Sequence, residues 1–253
     1  MSSIRYFVGV SLLVTLATCS SKNSTQNTSP NKAATAAATQ KAAREYRVHY
    51  NTPVSLDSTD YYYQPVSVVA KDGSAPSRAF SSGSYGESSE GAPGIEGTCY
   101  NVLFLRKSGP QEQLLFPHGR FVITSIDDER TPAVRWPYMF YLVVTADTNS
   151  DGVQDTNDAT GLFVSDRSGR QVRQLTPPDA AVQGWHIVPQ TSLLLVAVRP
   201  DSNHDLEFTR DDDTYWLRFD LRNLTAPPLR QPAPGLRQQL QQQMLGRQSK
   251  AEH

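Results

Sequence analysis

The residues best placed to do chemistry are acidic and lie in one short run. In Asp147-Thr-Asn149-Ser-Asp151-Gly152-Val153-Gln-Asp155-Thr-Asn-Asp158, oxygen-bearing side chains stand at positions 1, 3, 5, 9 and 12, with a glycine at 6. Hard oxygen donors at alternate positions converge on one Ca²⁺ when the chain turns sharply, and the residue at position 7, here Val153, contributes its carbonyl. Gly152 permits that turn because it has no Cβ. A second run, Asp201-Ser-Asn203-His-Asp205-Leu-Glu207-Phe-Thr-Arg-Asp-Asp212, keeps carboxylates or amides at 1, 3, 5 and 12 and carries Glu207 at 7, but Leu206 replaces the glycine. Three adjacent aspartates, Asp211 to Asp213, repel one another unless a cation or Arg210 intervenes.

Both runs also read as Asx-rich turns, in which Asp, Asn and Gly are favoured for backbone reasons alone. The sequence leaves the Ca²⁺ loop and the plain turn open. Asp158 stands where an EF-hand has a bidentate Glu; Asp there resembles dockerin-type loops and implies weaker binding. No helices flank either run, so each is expected to be a hairpin loop.

Nothing else carries a catalytic pattern. The chain has no Gly-x-Ser-x-Gly, no His-Glu-x-x-His, no phosphate-binding glycine loop and no Cys/His metal quartet. It is therefore expected not to be an enzyme and to have no catalytic residues. The alternative is a hydrolase with two carboxylates in one cleft, outside any metal loop. His186, beside Trp185 in an apolar run, reads as packed core. His204 sits in the second acidic loop, as a solvated residue or a transition-metal ligand. Tyr61 to Tyr63 read as a strand with one side packed, or as an aromatic face for sugar or peptide.

The acidic runs are positioned by a unit written twice. The first copy is Tyr141-Leu-Val-Val-Thr, the acidic loop, Gly161-Leu-Phe-Val-Ser-Asp-Arg-Ser-Gly, then Val172-Arg-Gln-Leu. The second is Leu193-Leu-Leu-Val-Ala-Val, the second loop, Tyr215-Trp-Leu-Arg-Phe-Asp-Leu, then Pro228-Leu-Arg, with Gly184-Trp-His-Ile-Val opening it. Each predicts strand, hairpin loop, strand, turn and short strand. Upstream, strands are predicted at Glu45–Tyr50, Tyr61–Ala70, Tyr100–Leu105, Gln113–Pro117 and Arg120–Ile126. Pro65 points to an edge or a bend. Cys99 opens an apolar strand and reads as a buried small hydrophobe.

These units, with Ser165-Asp-Arg-Ser-Gly and Arg173-Gln-Leu-Thr-Pro as endings, resemble blades of TolB-type, WD40-like β-propellers over about residues 99–231. In the second copy Asp220-Leu-Arg-Asn replaces the glycine turn. Cys99–Pro117 looks like the last two strands of an earlier blade. Propellers have at least four blades, and at about 50 residues per unit Glu45–Gln231 supplies three or at most four. The expected fold is all-β: a partial or small β-propeller-like stack of antiparallel sheets, or a ring completed by another chain.

The remainder of the chain places the protein. The 253 residues carry a formal charge of -1, which gives no case for nucleic acid. Arg5 precedes an apolar run, Tyr6 to Ala17, too short and interrupted to span a bilayer, as in a signal peptide. Its end, Leu16-Ala17-Thr18-Cys19, resembles the lipobox of bacterial lipoproteins, although Thr18 departs from the usual Gly, Ala or Ser. The resemblance implies a signal peptide over 1–18, lipidation of Cys19 and, with the non-acidic Ser20 next, an outer-membrane anchor facing the periplasm or the cell surface. Residues 19–44 read as a flexible tether whose Ala-rich part, Lys32 to Ala43, has helical propensity. Residues 45–231 read as the β domain, with a long flexible loop over 71–98. Residues 232–253 read as a C-terminal helix whose Leu236, Leu240 and Met244 form one narrow stripe that caps the sheets, binds a partner or docks loosely. The expected function is binding or scaffolding in the envelope, to a protein or a glycan, with Ca²⁺ as a structural ion. A decayed paralogue of a larger propeller is the remaining alternative.

Overall fold

The computed structural model describes residues 32–72, 94–127 and 136–251. The expected signal peptide, Cys19, residues 20–31 and most of the 71–98 loop lie outside them. The chain divides between Lys41 and Ala42, and the second unit holds every described strand. Helix α1, Lys32–Glu45, forms where alanine dominates.

Among the described residues, thirteen strands build three antiparallel sheets. The first contains β1 (Tyr46–Tyr50), β2 (Val54–Ser55), β3 (Tyr61–Ala70), β4 (Thr98–Arg106) and β5 (Glu112–Leu114), in the order β1-β3-β4-β5 with β2 on β3. The second is a meander of β6 (Val122–Asp127), β7 (Tyr138–Val144), β8 (Thr160–Asp166) and β9 (Arg173–Gln174). The third repeats that order with β10 (Ala180–Ile187), β11 (Leu193–Pro200), β12 (Tyr215–Asp220) and β13 (Leu229–Gln231), followed by helix α2, Pro234–Ala251. The duplicated unit is thus β7–β9 and β11–β13. The described sheets close into neither barrel nor ring.

Side-chain alternation decides how the sheets stack. On β7, Met139, Tyr141 and Val143 pack with Tyr63, Val102 and Phe104 of the first sheet. Phe140, between them, faces Leu194, Val196 and Val198 of the third. On β8, Phe163 joins the first core and Leu162 and Val164 join the second. The middle sheet is therefore covered on both faces, and Gly161 to Ser165 are all buried, as expected of a strand with no wet side. Each outer sheet contributes one face to these two cores. β3 alternates buried and half-buried positions along its length.

Polar groups in these cores are satisfied. Asn51 donates to Ser67 Oγ at 2.8 Å and accepts the Glu96 amide at 2.7 Å. Asn101 accepts the Phe116 amide at 3.1 Å and donates to its carbonyl at 2.9 Å, tying the chain after β5 to β4. Cys99 is fully buried and free, as its apolar strand predicts, and burial pushes its thiol up to about 12. The turn after β8 clasps the first sheet: Gln113 donates to the Gly169 carbonyl at 3.2 Å and accepts from Arg170 Nε at 2.9 Å.

One sequence expectation fails on alternation. His186 is not core; Trp185 takes the inward position, 4.9 Å from the Phe140 ring, and His186 lies exposed against Trp216, 5.7 Å away. The apolar neighbourhood of His186 in sequence hid that it stands on the outward side of β10. On α2, Leu236, Leu240 and Met244 are all exposed, so the stripe caps no sheet. No described helix is long and apolar enough to cross a membrane.

Candidate functional site

The first acidic run connects β7 to β8, whose ladder closes at Val144 opposite Thr160. Its side chains fold back on the backbone in succession. Asp147 Oδ2 accepts the Gly152 amide at 2.9 Å, Asn149 Oδ1 the Asp151 amide at 3.0 Å, and Asp151 Oδ1 the Val153 amide at 2.8 Å. Ser150 and Gly152 take left-handed conformations, at φ 60° and 82°. Asp158 closes the loop from inside. Its Oδ1 accepts the amides of Thr148 at 2.7 Å and Asn149 at 3.2 Å, and its Oδ2 accepts that of Asp155 at 2.7 Å. Asp155 Oδ1 accepts the Asn157 amide. Buried carboxylates engaged by several N–H groups are well satisfied.

The second run, between β11 and β12, repeats the first bond for bond at a constant offset of 54 residues (147 to 201, 149 to 203, 151 to 205, 158 to 212). Asp201 Oδ2 accepts the Leu206 amide at 3.1 Å, Asn203 Oδ1 the Asp205 amide at 3.2 Å, and Asp205 Oδ1 the Glu207 amide at 2.9 Å. Asp212 Oδ1 accepts the Ser202 amide and hydroxyl at 2.8 and 2.9 Å, and its Oδ2 accepts the Thr209 amide at 3.1 Å. Even the hydroxyl relay matches: Thr148 Oγ1 accepts the Ala159 amide and Ser202 Oγ that of Asp213. His204 and Leu206 occupy the left-handed positions, at φ 62° and 66°. His204 is exposed in this loop.

The three adjacent aspartates go to different surroundings. Asp212 is buried, and its carboxyl sits below the usual range because the Ser202 amide, the Ser202 hydroxyl and the Thr209 amide bond its ionised form, against burial. Asp213 pairs with Arg237 of α2. Asp211 stays exposed. The repulsion expected from sequence is relieved by these backbone amides and by a cation from another element.

Both loops open onto one cleft of about 510 Å³, which sequence reasoning missed. The first loop contributes Asn149 and Asn157, the second Glu207, Phe208 and Thr209, and β10 contributes Gln183. Gln183 sits at a bulge, where the β10–β11 register slips between Val182 and Gly184; bulges re-aim side chains out of a ladder. The lining is rich in amides and hydroxyls, with one aromatic ring.

The donors of each loop fit a hard cation in kind. Asp147, Asn149, Asp151 and the Val153 carbonyl, and likewise Asp201, Asn203, Asp205 and Glu207, are oxygen groups at alternate positions. Asp158 and Asp212 have both oxygens committed to backbone amides. Among the described residues no three His, Cys, Asp or Glu side chains converge closely enough to hold a metal ion. Comparison with protein-family models, curated proteins and solved structures gives no match.

Proposed function

We propose that this chain is a lipid-anchored binding protein of the bacterial outer membrane, and that it presents propeller-like blades whose paired acidic loops frame its ligand cleft. The observation that carries this reading is the bond-for-bond equivalence of the two loops together with their convergence on one cleft. Turn chemistry alone accounts for each loop; it does not account for both bordering the same concave surface. The ligand is an envelope protein or a glycan, met by the amides of Asn149, Asn157 and Gln183 and the ring of Phe208. Ca²⁺ serves as a structural ion on the oxygen donors at positions 1, 3, 5 and 7 of each loop, and the role is binding rather than catalysis. The anchor is an acyl group on Cys19, supported by the lipobox-like Leu16-Ala17-Thr18-Cys19.

Each part has its own test. Ca²⁺ at about a hundredfold its dissociation constant adds roughly 2.7 kcal/mol to the stability of a protein that binds it only when folded. The melting temperature is expected to rise on adding Ca²⁺ and fall with EDTA, and an unchanged value in both removes the ion from the account. Metabolic labelling with a fatty-acid analogue is expected to mark the wild type and not Cys19→Ala. Co-sedimentation with isolated envelope material is expected to weaken in Asn157→Ala/Gln183→Ala, and binding that is indifferent to both substitutions moves the ligand elsewhere.

A further inference from the structure

We propose that the cleft between the two acidic loops holds the end of a glycan built from uncharged sugars, one pyranose ring lying on Phe208 and its hydroxyls paired with the amides of Asn157 and Gln183. This rests on the reading of the cleft as the ligand site and narrows it to one class of ligand. The observation that carries it is a departure from the equivalence of the loops. At the offset of 54 residues, Phe208 answers to Gln154. Gln154 turns back and donates to the Val144 carbonyl at 2.9 Å, so its side chain serves its own hairpin. Phe208 serves its hairpin through the backbone, where its carbonyl accepts Arg199 Nη1 at 3.1 Å. Its side chain is half-buried at the cleft and, among the described residues, joins neither apolar core. Turn chemistry has no need of an aromatic ring there.

The polar lining divides into committed and open groups. Both Asp158 oxygens accept loop amides, and Thr209 Oγ1 accepts the Asp211 amide at 3.3 Å. Among the described residues nothing bonds the side chains of Thr156, Asn157, Gln183 or Glu207, and all four are exposed. A primary amide presents donor and acceptor side by side, as neighbouring sugar hydroxyls do, so each satisfies the other. The C–H face of a pyranose ring is apolar and suits the face of an aromatic ring. Other ligands fit less well. The described lining holds no Lys, Arg or His, and Glu207 is a free carboxylate, so an anion would enter without a counter-charge. A peptide that adds a strand needs an uninterrupted edge. β10 is the end strand of its sheet, but its register slips between Val182 and Gly184, beside the residues that line the cleft. The volume, about 510 Å³, suits the end of a chain.

The test titrates the full chain, in a detergent without a sugar headgroup, by saturation-transfer NMR and calorimetry. The probes are trisaccharides of glucose, mannose, galactose and N-acetylglucosamine, with trigalacturonate as the acidic comparison, in EDTA and again with Ca²⁺. At least one uncharged trisaccharide is expected to bind in both buffers, with saturation strongest on ring C–H protons. Trigalacturonate is expected not to bind in EDTA. Gln183→Ala is expected to weaken binding about fivefold, the loss of one or two hydrogen bonds, and Phe208→Ala about tenfold. Phe208→Tyr, which keeps the ring, is expected to bind as the wild type does. Circular dichroism and melting temperature report that each variant is folded, and Gln183 is exposed, so its replacement leaves the packing alone. Four results overturn the proposal: no uncharged trisaccharide bound at about 10 mM, well above a weak millimolar dissociation constant; binding that needs Ca²⁺; trigalacturonate bound as tightly in EDTA; or indifference to both alanine substitutions. If the sugars fail while co-sedimentation with envelope material still weakens in Asn157→Ala/Gln183→Ala, the glycan is overturned and the cleft keeps its role for a protein ligand. If both fail, the cleft is not the ligand site.

Discussion

Asp158 and Asp212 hold the same place in two different sheets: each is buried, and each accepts a hydrogen bond from the amide that follows the first loop aspartate on Oδ1 and from a second amide three residues before itself on Oδ2. In this structure the last carboxylate of each run clasps the loop backbone. Replacing Asp158 by Asn puts an amide N–H₂ against amide donors and leaves buried N–H groups unpaired. The expected cost is about 1–3 kcal/mol, a fall in melting temperature of about 2–4 °C per kcal/mol for a domain of this size. Asp212→Asn is expected to shift it in the same direction. The two effects should add, because separate sites with no shared partner do so within about 0.5 kcal/mol.

Acid sensitivity follows from the same geometry. The Asp212 carboxyl lies below its usual 3.8 in the folded protein, as do those of Asp60, bonded by Ser108 and Arg106, and Asp220, bonded by the Arg222 amide. Below 3.8 the unfolded chain binds more protons than the folded one, so stability rises with pH there. The contribution is complete above the unfolded value and is lost as pH falls through the folded values. Asp212→Asn is therefore expected to lie closer to the wild type in stability at pH 2 than at pH 7. Urea unfolding at the two pH values measures this, and an unchanged difference refutes it.

Much of the architecture can be read from alternation. Tyr61–Ala70 and Tyr100–Leu105 announce their strands, and the recurrence of Asp-x-Asn-x-Asp announces that two hairpins are equivalent. What cannot be read is which face of a strand meets another sheet. His186 and Trp185 are adjacent and both lie in an apolar stretch, yet only Trp185 reaches the core. The cleft is hidden for a related reason. Asn157, Gln183 and Phe208 lie on three separate elements and become neighbours only through the stacking of the second and third sheets. Gln183 faces the cleft because of a one-residue bulge, and no spacing rule marks it.

The left-handed positions make a paired prediction. Leu206 stands at φ 66° where Gly152 stands at φ 82° in the equivalent loop. A non-glycine residue there bears a strain of roughly 1–2 kcal/mol, partly offset by the greater freedom glycine has when unfolded. Leu206→Gly is expected to raise the melting temperature slightly and Gly152→Ala to lower it. Neither should disturb packing, because a Cβ on Gly152 would meet nothing within 4 Å and Leu206 is exposed.

Gly169 is the contrasting case. It shares the positive φ, at 78°, but a Cβ there would lie 2.2 Å from Cδ2 of Phe104 in the first sheet. Gly169→Ala forces that ring or the clasping turn to move, and overpacking of a core costs about 1–3 kcal/mol beyond the backbone strain. The loss in melting temperature is expected to exceed that of Gly152→Ala clearly. Gly169→Ala/Phe104→Leu, which clears the space, is expected to recover part of the packing component. Equal losses for the two alanine substitutions would mean that Phe104 does not confine the turn.

Thiol counting joins the core to the anchor. Cys99 is fully buried and its thiol is pushed up to about 12, so at pH 8 it is neither accessible nor ionised enough to react. The chain's other cysteine, Cys19, has its sulfur consumed if it carries lipid, as proposed. The full-length protein extracted from membranes is then expected to titrate no thiol with a maleimide when native and one when unfolded in guanidinium. One thiol native and two unfolded would mean that Cys19 is free. One thiol native and one unfolded would mean that Cys99 is exposed, against the packing between the first two sheets. The unfolding midpoint read from labelling of Cys99 should coincide with that read from circular dichroism, because the residue lies within a core built from both of those sheets.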